Sequence, residues 1–211
     1  MAEARARAVL VHGLWTHGLI MEPQRCWLAG AGFDAVTYSY PSVRLTLTEN
    51  ADRLARFSAT LGAPLVHWVG HSLGGILILR MLAREAALPP GRIVLLGSPC
   101  ADTHSGRTLA RHSLGARMLG RSVGEWIDSV KPARYDGREI GVIAGTRGVG
   151  LGRLVAPNLP QPNDGAVAVS ETQLAAARDH LELPVSHTGM LFSRQVSRQV
   201  CAFLRYGRFE H

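Results

Sequence analysis

Residues 66–75 read Val-His-Trp-Val-Gly-His-Ser-Leu-Gly-Gly, and this stretch decides the fold. A short apolar run typical of a strand leads into the pattern Gly-x-Ser-x-Gly, and a helical apolar pattern follows over residues 76–82. Ser72 therefore stands at the apex of a sharp turn between strand and helix. Because such a turn strains its central residue, the flanking positions must be nearly free of side chain, and Gly70 and Gly74 meet this requirement. The pattern predicts a serine hydroxyl exposed above a sheet, with a helix N-terminus beneath it.

The composition is that of an ordinary globular protein. The chain has 211 residues, of which 46% are hydrophobic and 18% are charged, and it predicts a single domain over 1–211. No apolar run reaches the length of about 18 residues that a transmembrane helix needs. The N-terminal residues also lack the apolar stretch of a signal peptide, so we expect a cytoplasmic protein.

The charge is basic, with a net value of +7 and a pI near 10.1. Lys131 is the only lysine, and the arginines are scattered singly rather than gathered in a stripe. This distribution argues against specific nucleic-acid binding, while a weak attraction to anionic surfaces stays open.

Cofactor and metal signals are weak. Three widely spaced cysteines, Cys26, Cys100 and Cys201, form neither a disulfide framework nor a zinc pattern, and their apolar neighbourhoods predict buried free thiols. The glycine run at 148–152 lacks the spacing of a dinucleotide-binding loop. We therefore expect no metal ion and no organic cofactor.

Apolar runs alternate with amphipathic stretches along the chain, which predicts an α/β fold with a mostly parallel sheet flanked by helices on both faces. Strands are predicted at 8–11, 35–38, 65–69, 93–96 and 140–144, and helices at 19–31, 47–61, 73–87 and 190–204. Residues 101–132 form a small cap over the site or an ordinary crossover helix, and residues 146–164 a long loop. In such sheets sites form where strands end, so these segments are the ones to examine for chemistry.

The first predicted strand ends in His12-Gly13-Leu14-Trp15, a tight loop beside the serine turn. The backbone N–H of Leu14 and that of Leu73, directly after the serine, are the candidate donors of an oxyanion hole. Trp15, just past the strand, and His71, beside the serine, are the candidate residues of a substrate pocket.

A nucleophilic serine also needs a carboxylate and a base. Asp164, in an Asn-Asp-Gly turn late in the chain, is the candidate carboxylate, although such a turn is also a plain loop signal. Asp102 and Asp179 are its rivals.

His187 is the candidate base, because it stands on a loop just before the last predicted helix. His180, which we expect to flank a strand, and the terminal His211 are the alternatives. His71 points away from its neighbour in the turn, and His67 is expected in the core.

The order Ser72, Asp164, His187 resembles that of the α/β-hydrolase superfamily, and within it the small bacterial serine esterases and lipases with little or no lid. The resemblance implies that Ser72 is the nucleophile, His187 the general base and Asp164 its orienting carboxylate. It also implies a small-molecule acyl ester as substrate. Thioesters, amides or lipid-linked acyl groups would suit the same residues, and a scaffold that binds a ligand or partner without turnover is the alternative from another class.

Overall fold

The computed structural model describes residues 6–85, 87–129, 135, 137–149 and 158–211. Six parallel strands form one sheet in the order β2-β1-β3-β4-β5-β6. The strands are β1 (Arg7–Val11), β2 (Asp34–Tyr38), β3 (Val66–His71), β4 (Ile93–Leu96), β5 (Ile140–Gly145) and β6 (Asp179–Leu183). The helices are α1 (Glu22–Gly30), α2 (Leu47–Thr60), α3 (Leu73–Arg84), α4 (His104–Ala110), α5 (Ser113–Asp128) and α6 (Arg194–Tyr206).

Each face of the sheet carries its own apolar core. Val9 and Val11 of β1 point into a cluster that is completed by α2, α3 and α5. Ala8 and Leu10 of the same strand point into a second cluster with α1 and α6. Because successive strand residues face opposite sides, the near-continuous apolar strands of the sequence are those of a sheet buried on both faces. The predicted fold class is confirmed.

The strand order reverses direction at β1, which has β2 on one side and β3 on the other. Val11, at the end of β1, pairs in register with Gly70, near the end of β3. The loops that leave these two strands therefore start side by side, at the kind of position where α/β proteins form their sites.

Two sequence expectations need correction. The helix expected over 19–31 is divided into a 3₁₀ helix, Gly18–Met21, and α1, which begins beside Pro23 because proline fits the first turn of a helix. Cys26, expected to be buried, is exposed, whereas Cys100 and Cys201 are buried as expected. In α1 the side chains of Gln24 and Leu28 face inward, and Cys26 lies halfway between them on the solvent side.

Residues 101–132 contain the helices α4 and α5 as far as the structure describes them, up to residue 129. Gly120 interrupts the helical geometry of α5 with φ of 71° and packs against the backbone of Val43. Part of the segment 146–164 and part of the glycine run at 148–152 lie outside the described residues.

Candidate active site

Ser72 occupies a strained turn between β3 and α3, with φ of 54° and ψ of −124°. The residues two positions before and after it, Gly70 and Gly74, must be glycine because the backbone approaches them too closely for a side chain. A Cβ on Gly70 would lie 2.4 Å from Gly75 Cα, and one on Gly74 would lie 2.3 Å from the carbonyl oxygen of Val11. Ser72 N–H donates to Leu96 O at 2.9 Å, which fixes the turn to the end of β4. The geometry expected of the Gly-x-Ser-x-Gly turn is therefore present.

Asp164 and His187 form a direct pair. His187 Nδ1 lies 2.7 Å from Asp164 Oδ2, and the carboxylate can only accept, so Nδ1 carries the proton. Asp164 Oδ1 accepts from the N–H groups of Ala166 at 2.9 Å and Val167 at 2.7 Å. The backbone repeats the contact, since His187 N–H donates to Asp164 O at 2.9 Å. The Asp164 side chain is 1% exposed, so the loop holds a buried carboxylate with its oxygens satisfied.

Gly97 makes room for this pair at the end of β4. It has φ of 54°, and a Cβ there would lie 2.9 Å from Asp164 Oδ2 and 3.2 Å from His187 Nδ1. Sequence reasoning missed this position because its importance comes from residues far along the chain, and no local pattern marks it.

His71 connects the serine turn to the loop that carries His187. Its Nε2 donates to His187 O at 3.0 Å, and the centres of the two rings are 4.7 Å apart. Burial, and next the neighbouring His187, lower the pKa of His71 to about 3, so this ring is neutral. The other ring nitrogen, Nδ1, is buried with no hydrogen-bond partner among the described residues. His71 is thus a buried contact of His187, and its place in a substrate pocket stays a prediction.

The structure brings the serine turn and the His187 loop to the same edge of the sheet. Within the described residues, no hydrogen bond joins the Ser72 hydroxyl to the His187 ring. In unliganded enzymes such contacts are often long and tighten when substrate binds.

The loop after β1 is held by a buried histidine. His12 Nδ1 donates to Gly13 O at 2.8 Å, and His12 Nε2 accepts from the N–H of Tyr40 at 3.2 Å. Both ring nitrogens are thereby assigned to a neutral ring, and burial lowers the pKa of His12. A side chain on Gly13 would meet Ser72 Cβ at 3.0 Å, so the loop passes directly against the serine turn.

The two N–H groups expected to face an oxyanion are free within the described part of the chain. Neither Leu14 N–H nor Leu73 N–H donates to another protein group there. Leu73 is the first residue of α3, where a helix leaves its N–H groups without an intrahelical acceptor.

Trp15 follows with φ of 58°, so it and Ser72 are the described non-glycine residues with positive φ. Its indole is 55% exposed, and Nε1 donates to Met118 O of α5 at 2.7 Å. Strained backbone of this kind gathers at functional sites, because surrounding structure must hold it in place. The candidate pocket residue thus lies on the surface, between the loop after β1 and α5.

The rival residues have other partners. Asp102 pairs with Arg107 at 2.7 Å on the surface. Asp179 accepts from Phe209 N–H at 2.7 Å and lies 3.1 Å from the ring of His211.

Two further histidines weighed from the sequence, His180 and His67, also have structural surroundings of their own. His180 lies within β6 rather than beside a strand, 2.9 Å from the hydroxyl of Thr172. His67 is buried on β3 as expected, and burial lowers its pKa to about 4.

Sequence reasoning also missed Glu171. This buried carboxylate accepts from Ala168 N–H at 2.7 Å and from the N–H of His104, and so ties the Asp164 loop to the start of α4. Burial raises the pKa of Glu171. Its only sequence signal is a position three residues after Ala168 at the start of a short helix.

Two further properties bear on the kind of site. The described residues contain no group of three or more histidine, cysteine or acidic side chains that could hold a metal ion. None of the helices in the described ranges is long and apolar enough to cross a membrane.

Known proteins share this architecture. The model of the alpha/beta hydrolase family matches residues 8–203. The lipase BlEst2 of Bacillus licheniformis superimposes with a TM-score of 0.70 at 20% identity, over 97% of this chain and 92% of that one. A hydrolase from Pseudomonas aeruginosa PA01 gives 0.70 at 19% identity, over 96% and 91% of the chains.

A thioesterase, RedJ of the prodiginine pathway in Streptomyces coelicolor, gives a TM-score of 0.64 at 16% identity, over 97% and 86% of the chains. No curated protein matches this chain in sequence. Because the family model spans most of its length, the chain belongs to the alpha/beta hydrolase family.

Proposed function

We propose that this protein is a serine hydrolase that cleaves carboxylic esters through an acyl-enzyme, with Ser72 as nucleophile. The observation that carries the proposal is the buried Asp164–His187 pair, at 2.7 Å, on the same sheet edge as the strained Ser72 turn. A structural histidine has no need of a carboxylate desolvated in this way, whereas a general base needs it to fix its tautomer and to stabilise its charged form.

The proton inventory follows from the hydrogen bonds. With Nδ1–H donated to Asp164, the lone pair of His187 is on Nε2, where it accepts the Ser72 hydroxyl proton as Oγ attacks the ester carbon. The imidazolium then returns this proton to the departing alcohol oxygen, and the acyl group stays on Oγ. Water then gives its proton to Nε2 and its hydroxyl to the acyl carbon. The bond between the acyl carbon and Oγ breaks, Nε2 returns the proton to Ser72 Oγ, and the carboxylic acid leaves.

The negative charge that develops on the carbonyl oxygen needs donors that are already in position. Leu14 N–H and Leu73 N–H have no other acceptor in the described residues, which supports them as these donors. The hydrogen bonds of His12 would keep the Leu14 loop in one conformation while the charge forms.

We further propose that residues 1–211 act as one domain, in which the segment 101–132 is a small cap rather than a plain crossover. The hydrogen bond between Trp15 Nε1 and Met118 O supports the cap, because it joins α5 to the loop of the proposed oxyanion donors.

A fluorophosphonate probe tests the mechanism, because it phosphonylates only a serine whose hydroxyl is activated. We expect one label on Ser72 in the wild type and no label in Ser72→Ala. Ser170→Ala, which removes an exposed hydroxyl, is the matched control and should label normally. An unlabelled wild type would favour a scaffold without turnover.

Thioesters are the second candidate substrates, and the likeness in fold to the thioesterase RedJ is the observation that favours them. A panel of p-nitrophenyl esters and acyl-CoA thioesters of graded chain length separates the two. We expect higher kcat/KM for the esters, and a reversed order would move the assignment to the thioesters.

A further inference from the structure

Large apolar side chains exposed to solvent are frequent in the segments that follow the strands of the sheet. In the described residues they are Trp15, Leu19, Leu65, Leu114, Met118, Val149, Phe192 and Tyr206. Leu65 directly precedes β3, and Tyr206 ends α6, whose last turn accepts hydrogen bonds from Arg92 just before β4, so these two lie at the amino ends of the strands. The other six come after the carboxyl end of a strand. Scattered exposed apolar residues are normal, but a set that gathers around a site indicates an interaction surface.

The helix α5 contributes two members of this set, and one of them, Leu114, is the most exposed of all. Leu114 and Met118 are 70% and 49% exposed, and they are four residues apart, so they lie on one face of the helix. Leu119 next to Met118 is buried in the core, and Val123 and Trp126 are buried beyond the break at Gly120. The helix therefore carries apolar side chains on its solvent side as well as on its core side.

The charges beside these side chains are of one sign. Residues 104–121 contain four arginines, Arg107, Arg111, Arg117 and Arg121, and no aspartate or glutamate. Arg107 pairs with Asp102 and Arg121 lies 3.7 Å from Glu49. Within the described ranges, Arg111 and Arg117 form no ion pair with a carboxylate. Exposed leucine and methionine flanked by arginine are the chemistry of a helix that lies in the headgroup region of a bilayer.

We propose that residues 104–121, here called the basic arch, dock on an anionic lipid bilayer together with the Trp15 indole. Leu114 and Met118 would enter the boundary between headgroups and acyl chains, and Arg111 and Arg117 would bind lipid phosphates. An acidic protein partner would complement the positive charge. It would not explain why exposed apolar side chains are also found in the loops after β1, β5 and β6, whereas a bilayer would contact all of them.

This surface also indicates the substrate class, and that part rests on the proposed ester hydrolase activity. The hydrogen bond from Trp15 Nε1 to Met118 O joins the basic arch to the loop that carries Leu14. A bilayer on the arch would therefore lie beside the serine turn. The acyl esters nearest to the serine turn would then be those of membrane lipids, which could reach the site without leaving the bilayer surface.

The test is co-sedimentation with vesicles. We expect the full-length protein to sediment with vesicles of phosphatidylcholine and phosphatidylglycerol in a 3:1 ratio, and at least about tenfold less with pure phosphatidylcholine. The double variant Arg111→Gln/Arg117→Gln should lower the partition coefficient by about thirtyfold, given the typical contribution of one arginine near a charged surface. Leu114→Gln/Met118→Gln should lower it by about tenfold, and glutamine keeps the helix propensity.

Leu65→Gln/Tyr206→Gln is the matched control, because it removes two exposed apolar side chains from the amino ends of the strands. It should sediment like the wild type. Equal loss in the control, or no preference of the wild type for anionic vesicles, would overturn the docking surface.

The binding measurement is independent of catalysis. Ser72→Ala should sediment normally, and Leu114→Gln/Met118→Gln should hydrolyse a soluble p-nitrophenyl ester at the wild-type rate. Vesicle binding without fluorophosphonate labelling would refute the hydrolase and leave the docking surface standing. Labelling without vesicle binding would do the opposite.

Discussion

The Asp164–His187 pair and Ser72, the proposed base and nucleophile, have contrasting surroundings. Asp164 and His187 are joined twice, through side chains and through backbone, and the carboxylate accepts two further N–H groups. Within the described residues, Ser72 is held through its backbone alone, by the bonds from its N–H to Leu96 O and from Gly75 N–H to its carbonyl. Beside it, two N–H groups have no acceptor in the described part of the chain. The difference teaches that folding alone completes the Asp164–His187 half of the candidate site, whereas the N–H groups beside Ser72 are left for the donor role proposed for them.

Asp164→Asn tests the Asp164–His187 half of the site and has the largest expected effect. The amide is the same size, but it cannot stabilise the imidazolium and it favours the other tautomer of His187. We expect kcat for an ester to fall by about 10³- to 10⁴-fold while the fold is kept. The measurement is steady-state kinetics with circular dichroism.

Asp179→Asn is the control for this experiment, because it alters a carboxylate of β6 whose partners are at the C-terminus. Its kcat should be close to that of the wild type. Comparable losses in the two variants would remove Asp164 from its proposed role.

Gly97→Ala tests how closely the surroundings of the Asp164–His187 pair are packed. Gly97 and Gly62 have nearly equal φ, 54° and 58°, so alanine should cost each about 1–2 kcal/mol of folding free energy through strain. Only at Gly97 would the new Cβ meet Asp164 and His187, because Gly62 has nothing within 4 Å.

We therefore expect kcat to fall at least about tenfold in Gly97→Ala and to stay unchanged in Gly62→Ala. Urea unfolding, measured in parallel, should show the backbone strain in both variants and a larger destabilisation of Gly97→Ala, whose Cβ also meets Asp164 and His187. If kcat also falls equally, the loss comes from strain and not from the displaced pair.

The third and smallest effect concerns His71, which connects the two halves. Its pKa of about 3 lies far below the ordinary value of about 6.5, so between these values the unfolded chain binds a proton that the folded chain does not. Stability is therefore lost as pH falls from 6.5 towards 3. From pH 7 to pH 5 this residue should account for a loss of about 2 kcal/mol.

His71→Gln keeps an N–H donor for His187 O but does not titrate. Urea unfolding at pH 7 and pH 5 should show that the variant loses about 2 kcal/mol less than the wild type over this interval. Parallel losses in the two proteins would mean that His71 does not titrate on unfolding in the way its burial indicates.

Local sequence patterns predicted the parts of the molecule that local physics determines. The glycine flanks of Ser72 and the apolar strands could be recognised because each requires particular residue types at a fixed spacing. The motifs and their order along the chain also predicted the family, and the match of the family model over residues 8–203 confirms it.

The parts that could not be predicted depend on contacts between distant segments. Gly97 matters because of Asp164 and His187, and Glu171 matters because it reaches the start of α4. Cys26 is exposed, although it lies beside an apolar segment, because its face of α1 is not covered. The roles of Ser72, Asp164 and His187 in turnover stay predictions until they are measured.

The hydrogen bond between His71 and His187 O spans 116 positions of the chain, and it has a consequence for folding kinetics. The serine turn forms at the end of β3, but the loop that carries its proposed base is positioned only after β5 and β6 have joined the sheet. Parallel pairings of this kind close long loops and are slow to form. During refolding, recovery of ester hydrolysis should therefore lag behind recovery of helix content. The rate at which activity returns would then report the rate at which the last strands join the sheet.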